Sequence, residues 1–307
     1  MSRTAFITGI AGFLGRHIAR HFAQIGWRVA GVDALAPENV HLGSGVRYTR
    51  LQLPSPDLGP LLRDLAPDAC IHCAGRASVP LSMEDPAADF HGNTVLTFEL
   101  LDALRRSAPG CRFILLSSAA VYGNPKSLPV AESQHVAPVS PYGFHKRQCE
   151  LLCQEFSKVY GLPSLAVRIF SAYGPGLRRQ IVWEICERLL TSGTLALHGT
   201  GGESRDFIHA ADIARALALL AEKAPATGEI YNVATGRETT ILELASLVTG
   251  ALRLKVEAQF DGTSRPGDPL NWRADVSKLT GLGFAPAIPL EQGLAQVADW
   301  ARAELAS

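Results

Sequence analysis

The chain has 307 residues, 47% of them apolar, and equal numbers of basic and acidic side chains, 29 each. That apolar share is enough for a full core and excludes a disordered chain. The charge balance gives no global field for nucleic acid or an anionic membrane surface, so a charged ligand has to be met locally.

No window reaches transmembrane length without a charge or a turn residue, and residues 1–10 read as a strand rather than a signal peptide. A cytoplasmic location is expected, and the six cysteines fit it. Cys70-Ile71-His72-Cys73 has CxxC spacing, but it lies in an apolar strand pattern whose side chains alternate faces. Cys149 and Cys153 share a helix face, and no second Cys or His pair completes a zinc set. Buried free thiols are expected and no metal.

In chain order, Ala5–Thr8 is an apolar strand ending at a Gly-rich turn, and residues 13–24 form an amphipathic helix with Gly26 as its stop. Residues 27–33 are a second strand and 69–74 a third. A helix follows at 94–106, then a continuous apolar strand at 113–117, the pattern of a strand covered on both faces. Ser140-Pro141 starts a helix, Ser as N-cap and Pro in the first turn, which ends near Gly161-Leu162-Pro163. Residues 165–170 are a strand. After Tyr173-Gly174-Pro175-Gly176 the rhythm changes, with helices at about 180–192, 211–222, 240–252 and 290–304. Thr240-Ile241-Leu242-Glu243 is a capping box.

Alternation of this kind predicts an α/β fold, a doubly wound parallel sheet of Rossmann type, with a smaller and mostly C-terminal second region. The expected division is 1–172 with a return segment near 205–238, against 173–204 and 239–307.

Thr8-Gly9-Ile10-Ala11-Gly12-Phe13-Leu14-Gly15 joins the first strand to the first helix. Gly9 allows the tight turn, Gly12 lets backbone approach a pyrophosphate, and Gly15 allows close helix–strand packing. The helix N-terminus offers free N–H groups to the phosphates. Three glycines alone also fit a plain turn. The flanking strand and helix, and a second strand ending in Asp33, favour a dinucleotide. A carboxylate at Asp33 accepts bonds from a ribose 2′-hydroxyl and repels a 2′-phosphate, and Ala34-Leu35-Ala36 supplies no cation, so NAD is favoured over NADP.

Tyr142 and Lys146 lie four apart on one helix and face the same way. A surface helix with a solvated Lys is the bland alternative. A phenol is a poor base at neutral pH unless cations nearby favour the phenolate. With a Lys ammonium and a nicotinamide cation beside it, Tyr142 would take a proton from a sugar hydroxyl while hydride leaves the same carbon. Ser118 ends a buried strand at the carboxyl edge, where ligands bind, and its hydroxyl would bond the reacting oxygen; simple turn chemistry is the competing role.

With these motifs the chain resembles the extended short-chain dehydrogenase/reductases of the NAD-dependent epimerase/dehydratase family, from about Arg3 to Arg302. The resemblance rests on the glycine turn, on Ser117-Ser118-Ala119-Ala120-Val121-Tyr122-Gly123, on Tyr142 with Lys146, on Tyr173-Gly174-Pro175-Gly176, on Arg205-Asp206-Phe207-Ile208-His209 and on Arg265-Pro266-Gly267-Asp268. It implies a catalytic set of Ser118, Tyr142 and Lys146, with Lys146 also holding the nicotinamide ribose. It implies an NAD-binding first region and a substrate-binding second one. Asn93 matches a residue beside the cofactor, and Arg205 and Arg265 match arginines that hold a nucleotide-sugar diphosphate. A neutral chain that binds a diphosphate needs such guanidinium forks, although a surface ion pair is the ordinary role of either Arg. Phe13, Leu14, Ala74 and Gly75 are placed with Gly9, Gly12, Gly15 and Asp33 on the cofactor side; Ser82, Ser171 and Arg179 are placed on the substrate side. A homodimer is expected through the 94–106 and 142–160 helices.

The chain also departs from the family pattern. Leu51-Gln52-Leu53-Pro54 has no acid for the adenine, so those contacts differ from those of many relatives. Ala119 and Ala120 stand where sugar 4,6-dehydratases carry an acidic pair, so water elimination lacks its general acid. Ser171 replaces the Asn of UDP-galactose 4-epimerases. The leading expectation is therefore a nucleotide-sugar epimerase acting at C4 through a transient 4-keto sugar. The alternative is an NAD(P)H-dependent reductase of a nucleotide 4-keto-6-deoxy sugar. A non-catalytic dinucleotide sensor is disfavoured because the Tyr-xxx-Lys pair is kept.

Overall fold

Strand residues that alternate without polar interruption can be buried only if both faces of their sheet are covered. Every residue of Thr4–Thr8 and of Ser164–Ile169 is buried, and so are the five central residues of Arg112–Ser118. The computed structural model describes residues 2–263 and 270–306.

The first half runs β1 (Thr4–Thr8), α1 (Phe13–Gln24), β2 (Arg28–Asp33), β3 (Val46–Arg50), α2 (Leu58–Leu65), β4 (Ala69–His72), α3 (Val79–Glu84), α4 (Pro86–Phe90), α5 (Leu96–Ser107), β5 (Arg112–Ser118) and α6 (Pro141–Tyr160). The second half runs β6 (Ser164–Ile169), β7 (Ser171–Tyr173), α7 (Gln180–Thr191), β8 (Ala196–Leu197), β9 (Ser204–Arg205), β10 (Phe207–His209), α8 (Ala210–Lys223) and β11 (Thr227–Val233). It closes with β12 (Thr239–Thr240), α9 (Ile241–Ala251), β13 (Gln259–Phe260), α10 (Ser277–Thr280) and α11 (Leu290–Ala306).

Seven strands form one sheet in the order β11-β6-β5-β4-β1-β2-β3, and all its pairings are parallel. The order reverses between β1 and β4, which opens a crevice at the carboxyl ends of the strands. One apolar layer packs α1 and α8 on the sheet through Ile18, Phe22, Ile213 and Leu217. The opposite layer packs α2, α5 and α6 through Leu62, Leu100, Leu104 and Phe156. Burying each such side chain stabilises the fold by roughly 1.5–3 kcal/mol. A separate core joins α7, α9 and α11 through Trp183, Ile185, Leu244 and Leu294. Cys70 packs in the α5–α6 layer and Cys73 against the α1 layer, so the CxxC spacing puts the two thiols on opposite faces.

Helix α6 starts where Ser140 Oγ accepts the Gly143 N–H at 3.2 Å with Pro141 in the first turn, and it stops at Gly161 in the left-handed region. The expected helix at 94–106 begins later: α5 follows a π turn over His91–Val95. The sequence reading did not include β3, α2 or the short helices α3 and α4.

Candidate active site

At the end of β1 the backbone turns into α1 through Gly9, Gly12 and Gly15, all of which border one cleft of about 630 Å³. A Cβ on Gly15 would run into the Gly9 carbonyl and lie 2.7 Å from Ile10 Cα. Both obstacles are backbone, so the helix cannot move aside without opening the turn. Gly15→Ala is expected to abolish retention of a dinucleotide; co-purified NAD released by acid from the variant measures this, and wild-type NAD content would contradict it.

Asp33 closes the second side of the turn. Its Oδ2 accepts the Ala11 N–H at 3.1 Å and its Oδ1 the Leu35 N–H at 3.4 Å, so the carboxylate braces the loop and keeps lone pairs for a ribose. At the end of β4, Ala74 gives its N–H to Thr8 Oγ1 at 3.2 Å. Gly75 follows, and a Cβ there would sit 2.7 Å from Asn93 Oδ1. Asn93 is 1% exposed, and neither its amide nitrogen nor its oxygen has a partner. It therefore lies behind Gly75 rather than in the cleft wall. An unpaired buried amide costs about 1–3 kcal/mol, and here it stands beside a surface that glycines keep open. The cradle and this amide fit a dinucleotide.

Tyr142 and Lys146 enter the same cleft from the first turns of α6, and Ser118 enters it from the end of β5. Tyr142 is 9% and Lys146 7% exposed. Lys146 Nζ donates to the Leu116 carbonyl at 3.1 Å and lies 5.9 Å from the Tyr142 ring centroid. One N–H of the ammonium is thus fixed and two remain for other acceptors. Ser118 Oγ accepts the Ala120 N–H at 3.1 Å as cap of the short 3₁₀ turn Ala119–Tyr122, which leaves its own proton to donate.

Ser82, expected on the substrate side, is not among the residues that border the cleft. It is fully buried, donates to the Val79 carbonyl at 2.7 Å and accepts the Tyr142 N–H at 3.1 Å. Its hydroxyl holds the start of α6 and does not border the cleft. Phe13 and Leu14 of the glycine turn, and Ser171, Arg179 and Arg205, also border the cleft. Arg179 donates to the Ala77 carbonyl at 2.7 Å, and Arg205 donates to Ser204 O at 2.8 Å with its guanidinium 5.6 Å from the Trp272 ring centroid. Arg265 lies outside the described residues.

Two features escaped the sequence reading. His72, on β4, bonds Thr8 Oγ1 at 2.7 Å and Thr97 Oγ1 at 3.2 Å. Burial, reinforced by the Lys146 ammonium, pulls its pKa down to about 3, so the ring stays neutral beside Lys146. Glu150, one turn beyond Lys146, is fully buried and accepts two hydrogen bonds from the Arg168 guanidinium at 2.8 and 2.8 Å, one from Ser117 Oγ at 2.8 Å and one from Arg147 at 3.0 Å. That fork ties α6 to β5 through Ser117 and to β6 through Arg168. Spacing gives no hint of it, because the partners lie 18 residues apart on different elements.

A parallel sheet with its order reversal at a glycine cradle, and a phenol, an ammonium and a hydroxyl facing that cradle, define a dinucleotide-dependent enzyme of hydride chemistry. The chain belongs to the NAD dependent epimerase/dehydratase family, which residues 5–234 match. It is 30% identical to the UDP-glucose 4-epimerase of Mycolicibacterium smegmatis, covering 96% of this chain and 97% of that one. It is also 30% identical to the GDP-6-deoxy-D-mannose reductase of Pseudomonas aeruginosa, covering 98% of both. Among solved structures, the UDP-glucose 4-epimerase of Thermus thermophilus in complex with NAD matches with a TM-score of 0.88 at 30% identity, over 97% of this chain and 99% of that one.

Proposed function

We propose that this protein is an NAD-dependent nucleotide-sugar epimerase that inverts C4 of a UDP-sugar. The observation that carries the reading is the shared cleft of Ser118, Tyr142 and Lys146 with the glycine turn, bordered by Ala120 where a dehydratase needs an acid. The relatives that act on UDP-sugars support the choice of UDP.

In this reading Gly9, Gly12 and Gly15 hold the pyrophosphate, Asp33 the adenosine ribose, and Lys146 the nicotinamide ribose through its two remaining N–H groups. Bound NAD supplies the hydride acceptor for the first half of the cycle and the donor for the second. Tyr142 Oη removes the proton of the 4-hydroxyl, and Ser118 Oγ donates a hydrogen bond to the same oxygen as it becomes a carbonyl. The 4-keto sugar then turns over, and Tyr142 returns the proton to the opposite face. Arg179 and Arg205 grip the diphosphate, a fixed pivot for that rotation. Residues 1–172 with 205–238 hold the cofactor, and 173–204 with 239–307 hold the sugar nucleotide.

Purified protein given UDP-glucose, UDP-N-acetylglucosamine and UDP-glucuronic acid, without added cofactor, is expected to form the 4-epimer of at least one. Failure across the panel would reject the reading. Stoichiometric oxidation of added NAD(P)H with a 4-keto-6-deoxy sugar would establish the reductase instead.

The protein is further proposed to be a cytoplasmic homodimer. The six unpaired thiols support the compartment, and no helix among the described residues is long and apolar enough to cross a membrane. Apolar side chains exposed along α5 and α6 support the dimer: Phe98 is 42% exposed, Phe144 54%, Leu151 48% and Val159 66%. Pairing these helices across a two-fold axis covers that patch. Phe98→Glu with Leu151→Glu is expected to halve the mass in sedimentation equilibrium at micromolar concentration, whereas a wild-type monomer would refute the dimer.

A further inference from the structure

A second cavity, of about 370 Å³, is bordered by α1, the turn after β7, the start of α8 and helix α11, and it shares only Phe13 with the catalytic cleft. Its size lies within the range of small-molecule sites. Phe13, Arg16, His17 and Arg20 come from one face of α1, spaced three, four and seven residues apart. No carboxylate is among the residues bordering it. Among the described residues, neither Arg16 nor Arg20 has an ion-pair partner.

His209 borders the same cavity. It is 3% exposed, and its Nδ1 accepts the Ala211 N–H at 3.2 Å, which puts the proton of the neutral ring on Nε2. That Nε2–H is buried and has no partner. Asp212, which acts on His209 electrostatically, is occupied by the Ala287 and Ile288 N–H groups and by Arg215. His17 stands with its ring centroid 6.2 Å from that of His209 and donates from Nε2 to the Pro175 carbonyl at 3.0 Å. Burial, with His17 next, lowers the His209 pKa to about 4. For His17, burial lowers the pKa, the Pro175 bond opposes this, and Arg20 and Arg16 reinforce it. Two guanidiniums and the His209 ring therefore border a cavity with no acid to pair them, walled on the apolar side by Phe13, Ile288 and Trp300.

We propose that this cavity binds a small organic phosphate, its phosphate held by Arg16 and Arg20 and its organic part against Phe13, Ile288 and Trp300. Guanidinium forks suit the several acceptor oxygens of a phosphate better than a single halide or a neutral ligand. The site is separate from the diphosphate grip of Arg179 and Arg205, so it does not depend on which sugar the enzyme inverts.

Isothermal titration of phenyl phosphate into NAD-saturated protein tests it. One saturable site is expected, weakened at least ~10-fold in Arg16→Gln/Arg20→Gln and unchanged in Arg205→Gln. Both replaced side chains are exposed, so the double variant keeps the fold. Absence of saturable binding in the wild type would overturn the proposal. So would binding lost in Arg205→Gln but kept in the double variant, which would place the probe in the catalytic cleft. Equal binding of benzoate would overturn the assignment to a phosphate.

Discussion

Tyr142→Phe is expected to lower kcat by about 10³-fold while NAD content, KM and the unfolding midpoint stay at wild-type values. The substitution removes one oxygen and keeps the ring. The contact that seats the start of α6 is the Tyr142 backbone N–H on Ser82 Oγ at 3.1 Å, which the variant retains. Lys146 keeps its bond to the Leu116 carbonyl. Only the proton transfer is lost, an interaction made in the transition state rather than on binding, so kcat and kcat/KM fall together. Initial rates of 4-epimer formation across substrate concentrations measure this; a rise in KM at constant kcat would assign Tyr142 to binding instead.

Glu150→Ala is expected to cost about 3–5 kcal/mol of folding free energy. The loss comes from what stays behind. Arg168 has a side chain only 2% exposed, and Glu150 supplies both of its 2.8 Å carboxylate bonds. Burial alone would push the Arg168 pKa down, but the Glu150 carboxylate overrides that and holds it up. Without Glu150 the guanidinium is a buried charge with the Glu132 carbonyl at 3.3 Å and the Tyr122 ring at 4.6 Å, neither of which neutralises it. Replacing both partners, Glu150→Leu with Arg168→Met, is expected to cost much less than the sum of the single changes, because no charge is stranded. Urea unfolding of the two single variants and the double variant measures the coupling. Additive losses would show that the pair does not act as a unit.

What the sequence made legible follows from where the signal is local. The central strands showed as unbroken apolar runs because helices cover both faces. The ends of α6 showed because Ser140, Pro141 and Gly161 each have a backbone role at one position. The edge was hidden: in β3, Val-Arg-Tyr-Thr-Arg, every residue is partly or fully exposed, so no apolar run forms. Helix α2 carries Gly59 and Pro60 in its first turn, which masks its periodicity. At the site, the glycine turn, Ser118, Tyr142 and Lys146 were legible as motifs. The part Ser82 plays was hidden because its bond from the Tyr142 N–H arises only when α3 meets α6. Glu150 and Arg168 were passed over because a charged residue in a helix reads as a solvated face until its partner on β6 is known.

The central claim is that the hydrogen at C4 leaves and returns inside the cleft, carried as hydride, while Tyr142 handles only the hydroxyl proton. Epimerisation run to equilibrium in deuterium oxide, with the product read by proton NMR and mass, tests it most directly. C4 is expected to keep its protium, with no deuterium on any ring carbon. Deuterium at C4 would show exchange of that hydrogen with solvent, and deuterium at C5 would show carbon deprotonation beside the ketone; either result would contradict the account.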